Sequence, residues 1–128
     1  MKTLSREVLL SFWKVHILHH AGESAIHGQW ILTELRRHGY EISPGTLYPL
    51  LKRMEGLGWL RCKVDAEGGR RARKDYRLTA QGAKVLSLIR ELIKELYEEV
   101  FEGRPGASDQ KRRRPTRGGI RKRGKNRN

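Results

Sequence analysis

The sequence predicts a mainly α fold with a small β-hairpin wing, α+β in class, and three observations predict it. Two helical patterns lie close together at residues 27–38 and 43–57. The apolar period then changes from three-and-four to two over residues 60–64 and 75–78, the signature of strands. A long apolar helical pattern follows and reaches residue 102. At 128 residues the chain has room for one domain with a modest core.

The first helical segment, about Leu4 to His20, carries Leu4, Val8, Leu9, Phe12, Trp13, Ile17 and Leu18. This stripe is wider than a helix packed on one side needs. Part of it, with Leu9 and Trp13 at the centre, is therefore expected to meet a partner chain. Gly22 reads as a left-handed stop.

The second helix should run from His27 to His38, bury Trp30 or Ile31 together with Leu35, and end at Gly39. Tyr40-Glu41-Ile42 is a short extended link. Ser43 then caps a third helix and Pro44 fits its first position, where no hydrogen bond is lost. Two helices joined so briefly read as a helix-turn-helix.

In the third helix Leu47, Leu50, Leu51, Met54 and Leu57 make an apolar face. The opposite face holds Thr46, Tyr48, Pro49, Lys52 and Arg53, hydroxyls, a ring and cations in the first turns, where a helix in a DNA groove makes its contacts. Pro49 lies inside the helix and deprives the Gly45 carbonyl of its donor, a break that costs ~3 kcal/mol in an ordinary interior. Local rules broken in this way mark functional positions.

Leu60, Cys62 and Val64 alternate with polar residues, as do Tyr76 and Leu78. Between these strands lies a Gly-containing turn loaded with arginine, so the pattern is a winged helix. Arg70, Arg71, Arg73 and Lys74 are expected to reach phosphate beside the groove. Thr79 is a good N-cap for a helix to about Glu102 that has more apolar surface than one core can cover. Leu88, Leu92, Leu96 and Val100 are expected to pair with a second subunit in a coiled-coil-like seam, making this a C-terminal dimerisation helix. From Gly103 onward Ile120 is the only large apolar residue, and such a segment cannot offset its ordering entropy. The expected organisation is thus residues 1–78 as a winged helix-turn-helix domain, 79–102 as a dimerisation helix and 103–128 as a disordered polybasic tail.

Charge sharpens the partner. The chain carries 28 Lys plus Arg against 14 Asp plus Glu, a formal +14. Residues 1–102 hold 17 basic and 13 acidic side chains, residues 103–128 hold 11 and 1. A mildly basic domain with a polycationic tail expects a polyanion. The single Cys62 cannot form an internal disulfide, which suits a reducing cytosol, and it reads as a buried strand thiol. No secretory signal or membrane span is read, so the expectation is a soluble, cytoplasmic protein.

The run Ser43-Pro44-Gly45-Thr46-Leu47-Tyr48-Pro49, continuing through Leu50 to Leu57 and Gly58, resembles the recognition-helix motif of PadR-type transcriptional regulators. Ile26-His27-Gly28, Gly69-Arg70-Arg71, Lys74-Asp75-Tyr76-Arg77-Leu78-Thr79 and Gly82 match that family as well. The chain departs from it at Gln29 and Trp30, where the family has Tyr then Glu. The resemblance covers most of residues 4–102 and implies a winged-helix regulator of transcription, with Ser43, Pro44, Gly45, Thr46, Tyr48, Pro49, Lys52, Arg53 and the wing cations on double-stranded DNA.

Other readings are weaker. His16 and His20 have a spacing that can hold a metal, with His19 beside them. Glu23 is the nearest further ligand and no Cys/His cluster lies elsewhere, so ordinary histidines are read and no metal or cofactor is expected. Trp13 and Trp30 are candidates for lining a cavity that takes a small aromatic effector, an idea the family resemblance suggests. Tryptophans at such spacing are more often core or dimer contacts. No phosphate loop, carboxylate pair or activated nucleophile is present, so no enzyme is expected. The expected function is a homodimeric repressor on a pseudo-palindromic operator. Its rival is a non-specific RNA- or DNA-packaging protein driven by the tail.

Overall fold

In the computed structural model, which describes residues 4–64, 69 and 72–103, the elements are α1 (Arg6–Glu23), β1 (Ile26–His27), α2 (Gly28–Arg37), α3 (Pro44–Gly56), β2 (Leu60–Val64), β3 (Lys74–Leu78) and α4 (Ala80–Phe101). Ser5 opens α1 by accepting the Val8 N–H at 3.4 Å. Leu9, Trp13, Ile17, Leu18 and Ala21, at helical spacing, enter the core. Leu9 and Trp13 are therefore covered within their own chain, and the sequence-based placement of these two on a partner is corrected. The exposed large apolar residues of α1 are Val8 and Phe12, with Leu4 just before the helix. Gly22 is not a stop either. The helix runs through it to Glu23, and a Cβ at Gly22 would lie 3.2 Å from Leu78 Cδ2, a tight contact that the leucine must yield to.

The two helices of the helix-turn-helix end in the same way. Tyr40 N–H reaches back to Leu35 O at 3.2 Å and Trp59 N–H to Met54 O at 3.1 Å, with Gly39 at φ 96° and Gly58 at φ 87°. These are left-handed helix stops that a side chain would strain. In α2 the buried residues are Ile31, Leu32 and Leu35, while Trp30 stays exposed. In α3 they are Leu47, Leu50, Leu51 and Met54, each stabilising the domain by ~1.5–3 kcal/mol through burial. Leu57 was expected to join them but is exposed, because it follows the last residue of the helix. Pro44 begins α3 as expected, but the Ser43 side chain makes no capping bond. The Ser43 carbonyl accepts from Thr46 and Leu47 N–H at 3.0 and 2.9 Å instead.

The sheet has the order β1-β3-β2, antiparallel throughout. Tyr76 in the central strand faces Ile26 on one side and Cys62 on the other. Leu60 and Tyr76 are buried, Cys62 is half-buried and Val64 is exposed, so burial fades toward the wing. β1 was not expected, since two residues are too few to show alternation.

Thr79 caps α4 by accepting the Gly82 N–H at 2.9 Å. Gly82 and Leu86 are the buried residues of this helix, with Val85 and Ile89 partly covered. Among the described residues the first turns of α4, as far as Ile89, pack with the helices and strands that precede them. Among the described residues no helix is long and apolar enough to cross a membrane. The expected tail, from residue 104 on, lies outside the described residues.

Candidate nucleic-acid interface

A cleft of about 830 Å³ opens between α3 and the sheet. Its walls are Tyr48, Pro49, Lys52 and Glu55 of α3, Arg73 and Lys74 at the start of β3, and His27, Gly28 and Gln29 at the start of α2, with Cys62, Ala72 and Tyr76 also lining it. The tyrosine owes its position to a missing side chain: a Cβ on Gly28 would lie 2.2 Å from Tyr48 Cε1. The ring therefore rests on the Gly28 backbone and still exposes 42 % of its surface. Pro49 interrupts the helical ladder beside it.

Lys52 is exposed. Arg73 pairs with Asp75 at 3.1 Å but remains exposed, and a surface pair of this kind contributes only ~0–1 kcal/mol. A phosphate can therefore take the guanidinium at small cost. On the inner wall, burial pushes the Tyr76 hydroxyl up to about 12, with the neighbouring Cys62 adding to it, so Tyr76 stays a neutral donor at physiological pH. The cleft can hold an anionic strand between a helix that presents a ring and a cation and a wing that presents two more cations.

The remaining expected contacts divide. Ser43 and Thr46 line a separate cavity of about 280 Å³ with Leu4, Arg6, Leu9, Trp13 and Glu41, where Arg6 donates to Thr46 Oγ1. The Thr46 hydroxyl is thus already engaged. Pro44 and Gly45 are exposed at the start of α3, and Arg53 is exposed further along it; none of these three lines the cleft. Arg70 and Arg71 lie outside the described residues. Sequence reasoning did not assign His27, Gly28, Gln29 or Arg6 to the site. A glycine opening a helix is the one signal that could have found Gly28, since glycine is a poor helix former and needs a packing reason there. Trp13 lines the smaller cavity and Trp30 does not, so the two tryptophans do not form its walls together.

A second polar cluster joins α1 to the end of α2. The Tyr40 hydroxyl is 3.3 Å from His16 Nε2, and the His16 and His38 rings stand 5.0 Å apart. Arg37 grips Glu34 through two hydrogen bonds of 3.1 and 2.7 Å and holds its carboxyl well below the ordinary range, at about 2. Burial, with the neighbouring His38, His20 and His19, lowers the His16 pKa.

A helix-turn-helix whose second helix forms a cation-lined cleft with a β-hairpin defines a winged-helix DNA-binding regulator. The pattern of the "Transcriptional regulator PadR-like family" matches residues 17–88, and the chain belongs to that family, whose members are regulators of transcription and not enzymes. It is 45 % identical over 98 residues to "Transcriptional regulator Rv3488" of Mycobacterium tuberculosis, which spans 77 % of this chain and 91 % of that one. A PadR family transcriptional regulator from Eggerthella lenta superposes with a TM-score of 0.62 at 30 % identity, over 75 % of this chain and 88 % of that one. A PadR-like transcriptional regulator from Bacillus cereus does so with a TM-score of 0.65 at 25 % identity, over 73 % and 92 %.

Proposed function

We propose that this regulator is a cytoplasmic homodimeric repressor that occupies a pseudo-palindromic operator. The observation that carries the reading is the cleft itself, in which Tyr48 and Lys52 of α3 stand opposite Arg73 and Lys74 of the wing. In this mechanism α3 enters the major groove, Tyr48, Lys52 and Arg53 meet base edges and flanking phosphates, and the wing grips the adjacent backbone. Arg70 and Arg71 extend that grip. Leu88, Leu92, Leu96 and Val100 of α4, all more than half exposed in the single chain, supply the seam to a second copy. The seam sets the separation of the two recognition helices, which must match ~34–36 Å or a multiple of it along the DNA.

Selection of binding sites from a random DNA pool tests this directly. The expected product is a two-fold sequence with half-sites about one helical turn apart. An unstructured pool with no enriched sequence would favour the packaging reading, which draws on the formal +10 of residues 103–128. Under the repressor reading that segment is a sequence-blind clamp. Its removal should flatten the salt dependence of binding by ~0.9 log units per log unit of salt for each phosphate released, on operator and random DNA alike.

A further inference from the structure

We propose that His16, His20 and His38, with Glu34 as a fourth ligand, form a binding site for a zinc-like divalent transition metal that fastens α1 to the turn of the helix-turn-helix. The three imidazoles each offer a nitrogen within 4.8 Å of the other two. His16 and His20 are successive turns of α1, and His38 is the residue that ends α2. Glu34 completes the set from one turn earlier, with Oε2 3.2 Å from His38 Nε2 and 3.7 Å from His20 Nε2.

Metal–nitrogen bonds of ~2.0–2.1 Å in a tetrahedral site bring neighbouring ligand atoms to ~3.3 Å, so the three imidazole nitrogens, within 4.8 Å of one another, must draw together and Glu34, which lies against His38 and His20, must turn toward His16. The chemistry selects the metal. Three imidazoles and one carboxylate suit zinc, cobalt, nickel or copper, and not the all-oxygen preferences of magnesium or calcium. Outer contacts of the kind that orient ligands are in place as well: the Tyr40 hydroxyl bonds His16 Nε2, which assigns Nδ1 of that ring to the metal, and Arg37 holds the Glu34 carboxylate while leaving it further lone pairs. A second grouping, His19, His20 and Glu23, shares His20 but comes from α1 alone and joins no other element.

The test is a zinc titration of the full-length, tag-free protein in competition with a chromophoric chelator. One zinc per chain is expected, with affinity falling by ~10-fold or more in His20→Gln and in His38→Gln. His19→Gln and Cys62→Ser should bind zinc as the parent does. Circular dichroism of the metal-free variants checks that each is folded. Zinc should also raise the unfolding temperature of the parent and leave that of the His20→Gln/His38→Gln double variant unmoved. Zinc bound equally by parent and double variant, or lost with His19→Gln but kept with His38→Gln, would overturn the assignment, as would no zinc binding by the parent.

Discussion

Helices α3 and α4 carry similar apolar periodicity and have opposite fates. In α3 Leu47, Leu50, Leu51 and Met54 are buried within the chain and the polar face is left outside. In α4 the buried residues are Gly82 and Leu86, while Leu88, Leu92, Leu96 and Val100 are exposed by 58 %, 63 %, 59 % and 62 %. Both faces need covering on the same physical grounds. The period of a helix says which side seeks a partner, and not whether the partner belongs to the same chain. Only the packing of the whole domain answers that, and it covers the apolar face of α3 while leaving that of α4 exposed.

Matched substitutions would break the comparison most forcefully. Leu51→Ala should cost ~2–5 kcal/mol, the usual loss when a buried leucine is truncated, seen as a lower denaturation midpoint at any protein concentration. Leu92→Ala should leave the unfolding of dilute monomer nearly unchanged and weaken self-association instead. A concentration-independent loss in Leu92→Ala would place that leucine in a core of its own chain.

Charge in the seam is the next test. Leu92→Arg together with Leu96→Arg should yield monomers by sedimentation, because an unpaired charge is costly in an apolar interface. These monomers should bind operator poorly, a half-site supplying too few contacts. If the double variant stays dimeric, the interface moves to Val8 and Phe12 of α1 and to Leu4 just before it, all exposed.

A smaller effect is expected at Gly28. Its replacement by Ala must displace the Tyr48 ring, given the 2.2 Å approach, and should lower operator affinity by about the ~1–3 kcal/mol of one good contact. Circular dichroism should show the helices intact. Full affinity in Gly28→Ala would mean that the ring has an equally good second position.

The mildest test is acid. Glu34 ionises at about 2 in the folded chain against an ordinary 4.5, chiefly through its Arg37 hydrogen bonds. A folded pKa depressed in this way stabilises the protein fully above 4.5 and loses that contribution as pH falls toward 2. In the presence of a chelator, Glu34→Gln should be less stable than the parent above 4.5, with the gap closing in more acidic solution. A gap that stays constant across this range would remove the carboxylate's ionisation from the account.

Much of this was readable beforehand, and the misses share a cause. The start of α3 at Ser43-Pro44, the glycine stop at Gly39, strands around Leu60 and Tyr76, and the Thr79 cap are local signals, carried by residues within a few positions of the event. The failures are long-range. Leu9 and Trp13 looked like partner contacts because periodicity cannot name the covering surface. Gly22 looked like a stop, but α1 continues through it to Glu23 where it packs beside Leu78, 56 positions on. β1 is two residues long and exists because β3 pairs with it. Within the site, Tyr48 and Lys52 were legible on the face of α3, but their meeting with Gly28 and Arg73 depends on the sheet. The nearness of His38 to His16 was hidden in sequence for the same reason, since it arises only from the packing of α2 on α1.

The division of labour between α3 and α4 is tested most directly by comparing operator with random DNA in Tyr48→Ala and in Lys52→Ala, each first shown by sedimentation to have the parent's assembly state. The account predicts that each substitution lowers operator affinity by ~1–3 kcal/mol while binding to random DNA falls much less, so the ratio of the two collapses. Unchanged operator preference in both variants would contradict it and move the reading of sequence away from this helix.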